Sequence, residues 1–155
     1  MTNLAELNKY GGGGDKLPGF AFKRIGDSVK GTVIRSALVD VPTDNGTRTK
    51  LVIELDVLDA KGGIPNFDAD GILTGVSDYA AGDKVAVWLP SGYGIGAITQ
   101  ALAAAGTDML ADGATLTVTL ESRKDTGKAK PANVYAATYV APVGGTTLPA
   151  GDDPF

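Results

Sequence analysis

The chain contains neither cysteine nor histidine among its 155 residues. Without cysteine it forms no disulfide, and it has no thiolate nucleophile or thiolate metal ligand. Without histidine it also lacks the commonest general base and the commonest zinc ligand. We therefore expect a protein that is not an enzyme and that uses no metal ion or other cofactor.

Long apolar segments are missing as well. No run approaches the roughly 20 apolar residues of a membrane-spanning helix, and the N-terminus has no signal-peptide core. We expect a soluble, intracellular protein without a membrane partner. Its formal net charge is −4, so it can bind a polyanion only if its cations are segregated from its acids.

Glycine and proline are abundant, with 22 and 8 residues, and hydrophobic residues make up 43% of the chain. This composition favours a β-rich domain with many turns. Residues 1–19 are predicted to be a flexible leader, because a run of four glycines at 11–14 cannot pack. Residues 20–142 are predicted to be the domain, which Phe20 and Phe22 anchor at its entrance. Residues 143–155 have the composition of a disordered tail with an acidic tip.

Alternation of apolar and polar residues predicts five strands. The first two, beginning near Gly26 and Lys50, form a long curled antiparallel hairpin in which Gly31 marks a bulge or bend. The third spans 84–89, and the last two span 115–120 and 134–140. A helix follows the third strand, because apolar residues recur at helical spacing from 95 to 105 and Gly106 suits its C-terminal cap.

The segment from 59 to 82 has no sustained period. It is predicted to be a long loop, with a short strand at 72–76 as its one candidate element. The predicted order of strand, strand, strand, helix, strand, strand is that of an all-β protein with one helix. It is also the order of the OB-fold, a five-stranded Greek-key barrel with a helix between strands 3 and 4.

Three motifs suggest chemistry, and each has a simpler interpretation. Gly92, Gly94 and Ala97 match the dinucleotide fingerprint, but no alternating strand-helix pattern surrounds them. A tight strand-to-helix turn explains the glycines without a ligand. The other two motifs are a partial calcium loop at 66–71, interpreted as a polar turn, and the pair Glu54 and Asp56, interpreted as a solvated strand face.

Basic residues are concentrated on the elements with which an OB-fold binds nucleic acid, strands 2 and 3 and the loops 1–2 and 4–5. The segment 121–133 is predicted to be a mobile basic loop; it is either a solvated hairpin tip or a clamp for a polyanion backbone. The candidate cations are Lys30, Arg35, Arg48, Lys50, Arg123, Lys124, Lys128 and Lys130.

Aromatic residues supply the candidate stacking surfaces for bases. Trp88 faces away from its valine neighbours, and the sequence leaves open whether it stacks on a base or packs beneath the helix. Tyr135 and Tyr139 share one strand face and the same ambiguity. Tyr93, in the glycine-rich turn, is expected to be exposed.

Several segments together resemble the single-stranded-DNA-binding proteins of bacteriophages, in particular those of actinobacterial phages. They are GDSVKGTV at 26–33, GDKVAVWLPSG at 82–92 followed by AITQALAAAG at 97–106, and KPANVYAATYV at 130–140. The terminal residues Asp152, Asp153, Pro154 and Phe155 resemble the acidic tip of bacterial-type members. The resemblance implies a tip that recruits replication and repair proteins, and a place in the host cytoplasm.

The sequence thus predicts a non-enzymatic protein that coats single-stranded DNA during phage replication and recombination. It leaves homo-oligomerisation open. The alternative is a non-catalytic β-barrel that serves as an interaction or virion structural module, in which the basic segment is merely solvated. A third hypothesis, a nucleotide-dependent enzyme, depends on the glycine fingerprint alone.

Overall fold

The computed structural model describes residues 17–43, 46–125, 127 and 131–142. Its elements are β1 (Ser28–Thr43), β2 (Gly46–Lys61), β3 (Gly63–Phe67), β4 (Leu73–Asp78), β5 (Lys84–Pro90), α1 (Tyr93–Ala104), β6 (Thr115–Lys124) and β7 (Ala132–Val140). The prediction of a mostly β protein with one helix is confirmed for these residues. No helix in the described ranges is long and apolar enough to cross a membrane.

Five strands form one antiparallel sheet in the order β5-β2-β1-β6-β7. The helix α1 lies between the third and fourth of these strands in the chain, as predicted, and it contacts both edge strands, β5 and β7. The remaining strands, β3 and β4, form a separate two-stranded sheet.

The predicted long hairpin is confirmed, because β1 and β2 pair from Ser28 opposite Lys61 to Thr43 opposite Gly46. The register shifts between Lys30 and Gly31. A Cβ atom at position 31 would lie only 2.7 Å from the carbonyl oxygen of Asp56. Glycine therefore allows the two strands to approach closely at this bulge, which bends the hairpin.

The main core lies on the inner face of the curled sheet. It includes Ile53 and Leu55 of β2, Val87 of β5 and Tyr139 of β7, and α1 covers it with Ile98. Because side chains of both edge strands pack into one core, the sheet must curl until its edges approach each other. Burial of this apolar surface is the main stabilising contribution to the fold.

A smaller apolar cluster lies on the opposite, outer face of β1, β2 and β5. Val39, Val52 and Ala86 are its buried members, and Trp88 packs against them. Residues 52 and 88 are direct partners across β2 and β5. Trp88 therefore lies on the sheet face that is turned away from the main core and its helix.

The prediction of a long loop at 59–82 is wrong. The segment forms a hairpin of β3 and β4, which we call the arm, and the short strand suggested at 72–76 overlaps β4. At the tip of the arm the Asp68 carboxylate accepts hydrogen bonds from the backbone N–H groups of Asp70 and Ile72. The sequence concealed the arm because most of its residues are exposed on both faces, so no apolar alternation develops.

Residues 17–23, which we call the strap, cross from β5 to the base of the arm. The carbonyl of Pro18 accepts a hydrogen bond from Ala86, and Ala86 accepts one from Phe20, both at 2.9 Å. The next residue, Ala21, bonds the carbonyl of Gly63. Phe20 is 6% exposed within the main core, so its predicted anchoring role is confirmed. Residues 17–19, expected in the leader, thus pair with the domain.

Candidate functional site

A cleft of about 1030 Å³ opens between the two edges of the curled sheet. The strap, the start of β2, the end of β5 with the turn after it, and the β6–β7 region form its walls. Its described lining residues are Phe22, Lys23, Arg48, Pro90, Ser91, Gly92, Tyr93, Arg123, Pro131, Ala132, Asn133 and Tyr135. The fold therefore brings together four predicted site residues, Arg48, Tyr93, Arg123 and Tyr135, which are far apart in the sequence.

The charge of the cleft is opposite in sign to that of the protein. Lys23, Arg48 and Arg123 line it, and none of its described lining residues is an aspartate or glutamate. The whole chain nevertheless has a formal net charge of −4. Cations gathered in a cleft with low-dielectric walls concentrate the field and attract anions locally.

The segment predicted as a basic loop is shorter in the structure. After a register shift between Leu120 and Ser122, β6 continues to Lys124, and Arg123 pairs with Asn133 of β7. The prediction that Arg123 and Lys124 lie in a mobile loop is therefore wrong. The sequence did not predict this end of β6 because its charged side chains are exposed, so apolar and polar residues no longer alternate there.

Hydrogen bonds fix the guanidinium group of Arg123 on two sides. Its Nε donates to Asn133 Oδ1 at 3.2 Å, and its Nη2 donates to the backbone carbonyl of Lys23 at 2.9 Å. The Nδ2 of Asn133 donates in turn to the hydroxyl of Tyr135 at 3.3 Å. This network connects β6, β7 and the strap along one wall of the cleft.

Three aromatic side chains line the cleft. Tyr135 meets Phe22 edge-on, with their ring centroids 5.2 Å apart, and Tyr93 is 40% exposed at the first position of α1, as predicted. Tyr139 shares the strand face of Tyr135 but is buried in the core, where its hydroxyl accepts a hydrogen bond from the N–H of Ala111. The structure therefore separates the two tyrosines, and only Tyr135 reaches the cleft.

The outer face of β2 and β5 continues from the cleft. On β5, Pro90 lines the cleft, and Trp88 lies two residues before it on the same face. On β2, Lys50 pairs with Pro90, while Arg48 lies two residues before Lys50 and lines the cleft. Trp88 is half-buried here rather than packed beneath the helix.

Three predicted cations lie elsewhere, and one of them, Lys124, is exposed at the end of β6 and does not line the cleft. Arg35 forms an ion pair with Glu54, with Nε 2.9 Å from Oε1 and Nη2 3.2 Å from Oε2. Glu54 is 4% exposed, so the interpretation of Glu54 as part of a solvated face is wrong. It is buried because β1 supplies its cation across the strand pair. Lys30 is exposed on β1, between Asp59 of β2 and Thr117 of β6, and does not line the cleft.

The glycine fingerprint has a structural explanation. Gly92 has φ 82° just before α1, a conformation that side-chain-bearing residues rarely adopt. A Cβ atom at position 94 would lie 2.8 Å from Cδ of Pro90. The glycines thus allow the tight strand-to-helix turn that the simpler interpretation predicted.

The partial calcium loop is the turn at the arm tip, where Asp68 caps backbone N–H groups. No group of three or more histidine, cysteine, aspartate or glutamate side chains suited to a metal ion occurs among the described residues.

The sequence pattern did not predict Phe22, Lys23 and Asn133 as site residues. The strap that carries the first two has no periodicity, and its position depends on backbone bonds to Ala86 and Gly63. A usable signal was the phenylalanine pair at 20 and 22, which indicated that the chain is anchored there. The predicted residues Lys128, Lys130 and Asp152 to Phe155 lie outside the described residues.

The chain matches no family model, and no curated protein or solved structure is significantly similar to it.

Proposed function

We propose that this protein is an OB-fold that binds single-stranded DNA in its cleft. The single observation that carries the proposal is the combination, in one groove, of three cations, three aromatic rings and no acid among the described lining residues. Proteins that bind single strands without sequence preference pair a positive groove for the phosphates with aromatic platforms for the bases.

The sheet order supports the OB-fold assignment. The five strands of the sheet, numbered 1 to 5 along the chain, are β1, β2, β5, β6 and β7. Their spatial order is then 3-2-1-4-5, with the helix after strand 3, and this arrangement suits the OB-fold barrel. The cleft residues lie on strands 2 and 3 and around the 4–5 connection, where OB-folds bind oligonucleotides. Curling of the sheet around one core agrees with a partly open barrel.

The cleft favours single strands over duplex. Base–aromatic stacking contributes about 1–3 kcal/mol per base, and Tyr93, Tyr135 and the nearby Trp88 can contribute it only to unpaired bases. A duplex keeps its bases stacked inside and offers the cations alone. The path we propose runs from Trp88 and Lys50 on the outer face into the cleft at Arg48.

The role in the cell is part of the same proposal. The resemblance of several segments to phage single-stranded-DNA-binding proteins leads us to assign a binding function in phage DNA replication and recombination, in the host cytoplasm. The terminal acidic Pro-Phe tip at 152–155 recruits replication or repair proteins, as its resemblance to bacterial-type tips implies. The ring of Phe155 and the carboxylates of Asp152 and Asp153 suit a basic-rimmed apolar pocket on such a partner.

The test is a fluorescence titration with dT oligonucleotides at several salt concentrations. If three to five phosphates are neutralised, log affinity should fall against log salt with a slope of about −2 to −3.5. The three cleft cations set the lower number, and Lys50 with Lys124 the upper one. A matched duplex should bind much more weakly. Equal affinity for duplex, or an affinity that salt does not change, contradicts the proposal.

One observation favours the second candidate, a non-catalytic interaction or virion structural module. The arm exposes Phe67, Ile72 and Leu73 by 54%, 62% and 41%, and neighbouring apolar groups on a projecting hairpin are typical of protein contacts. If that module is the main function, DNA titrations show no binding at physiological salt. The double variant Phe67→Ser/Ile72→Ser then loses binding of the arm to a partner protein, whereas Arg123→Ala retains it.

A further inference from the structure

The guanidinium group of Arg123 is held before any ligand arrives. An arginine has five N–H donors in a planar fork. Nε donates to Asn133 and Nη2 to the carbonyl of Lys23. These two bonds hold the group from β7 on one side and from the strap on the other. Among the described residues the other three donors have no partner, and the side chain lines the cleft.

The groups that hold Arg123 are themselves fixed. The Nδ2 of Asn133 donates to the hydroxyl of Tyr135, so both ends of the amide are engaged. The strap is held by backbone bonds of Phe20 to β5 and of Ala21 to the arm. The ring of Phe22 packs against both Phe20 and Tyr135. The folded chain therefore favours one orientation of the exposed Arg123 side chain.

We propose that Asn133 and the backbone carbonyl of Lys23 are positioning groups, which preset Arg123 to receive a phosphate of the bound strand. The inference rests on the proposed function, since it assigns roles within the same cleft. Asn133 itself contributes no charge and need not touch the phosphate. It acts through Arg123.

Positioning and charge have different experimental signatures. An arginine that is free to rotate loses side-chain entropy when it binds a phosphate, whereas a preset arginine has already lost that freedom during folding. Loss of the Asn133 contact therefore lowers affinity while the number of neutralised phosphates stays the same. Loss of Arg123 lowers affinity and also reduces the magnitude of the salt slope by about 0.7.

The experiment is a double-mutant cycle on the full chain, with dT oligonucleotide affinity measured across salt concentrations. Asn133→Ala should weaken binding about threefold to tenfold, the range expected for the net contribution of one ordinary solvent-exposed hydrogen bond, with an unchanged slope. Arg123→Ala should reduce the slope. In the Arg123→Ala background, Asn133→Ala should cost no further affinity, because the group that it positions is gone.

A matched control is Asn66→Ala. Asn66 also donates a side-chain hydrogen bond, to Ser77 at 2.9 Å, but it lies on the arm and outside the cleft lining. This variant should bind as the parent does. Circular dichroism checks folding, and Asn133→Ser serves where the alanine variant is poorly folded.

Three results overturn the inference. An affinity of Asn133→Ala equal to that of the parent shows that Arg123 needs no positioning. A full loss in the Arg123→Ala background shows that Asn133 acts on the ligand directly or through Tyr135, and a changed slope shows that it alters the ion count. If the parent protein itself binds no single-stranded DNA, the proposed function fails instead, which is a different outcome.

Discussion

Arg35 and Glu54 form an ion pair whose removal should distinguish a structural cation from a DNA-binding one. Both carboxylate oxygens of Glu54 receive hydrogen bonds from Arg35, at 2.9 and 3.2 Å. The Glu54 side chain is 5% exposed and the Arg35 side chain 35% exposed. Arg35→Ala therefore leaves a buried carboxylate without its cation, while the chain loses one of the cations that the sequence assigned to DNA.

The expected cost follows from burial. Removal of one partner from a buried ion pair costs about 3–5 kcal/mol. Because one third of the arginine side chain is in contact with water, we expect the lower end, about 3 kcal/mol. For a chain of this length, each kcal/mol lowers Tm by roughly 2–4 °C, so Tm should fall by roughly 6–12 °C. Glu54→Gln, which removes the buried charge and keeps its shape, should cost about half as much or less.

Urea unfolding measures the free-energy change, and a shift of the midpoint at constant slope shows that stability alone has changed. Titration with dT oligonucleotide, at a temperature where both proteins are folded, should give nearly the parent affinity and the parent salt slope. A loss of stability below about 1 kcal/mol would show that water already reaches Glu54. A salt slope whose magnitude falls by about 0.7 would show that Arg35 neutralises one phosphate of the bound strand.

Two further predictions concern pH and the tail. Burial and the Asp83 carboxylate raise the pKa of Tyr79 above 10.0, so its contribution to stability is complete below pH 10 and is lost as pH rises through the folded pKa. Tyr79→Phe should therefore reduce the decline in Tm between neutral pH and pH 11. Removal of residues 152–155 should leave Tm unchanged and DNA affinity equal or slightly higher. It should abolish capture of a replication protein from infected-cell lysate, and identical capture by both forms contradicts the recruiting role.

The sequence predicted the sheet because burial leaves a periodic signal. Leu51, Ile53 and Leu55 alternate, and all of them lie on the inner face. The arm left no such signal, since both its faces are exposed. Burial of Glu54 was also hidden, because its partner lies 19 positions away and the pairing depends on the register of β1 against β2.

The sequence predicted only part of the candidate site. Arg48 and Arg123 were found because residue type and predicted strand order were enough to select them. The contribution of Lys23 depends on where the strap lies, and that is set by backbone hydrogen bonds to Ala86 and Gly63, which no side-chain pattern reports. The sequence therefore indicates which residue types can line a groove, but the tertiary course of the chain determines which individual residues come together there.

An acidic protein that binds a polyanion gains selectivity from the placement of its charges. At physiological salt, charges farther apart than about 8 Å are largely screened. The cleft cations therefore attract DNA only weakly when it lies near other parts of the surface. Only a ligand that enters the groove comes within range of Lys23, Arg48 and Arg123 together. A single strand is thin and flexible enough to follow such a groove, whereas a duplex presents its phosphates on a wide, stiff cylinder. In the proposed function, the net negative charge would thus reduce non-specific attraction to duplex DNA, and the segregated cations would retain the attraction for strands that enter the cleft.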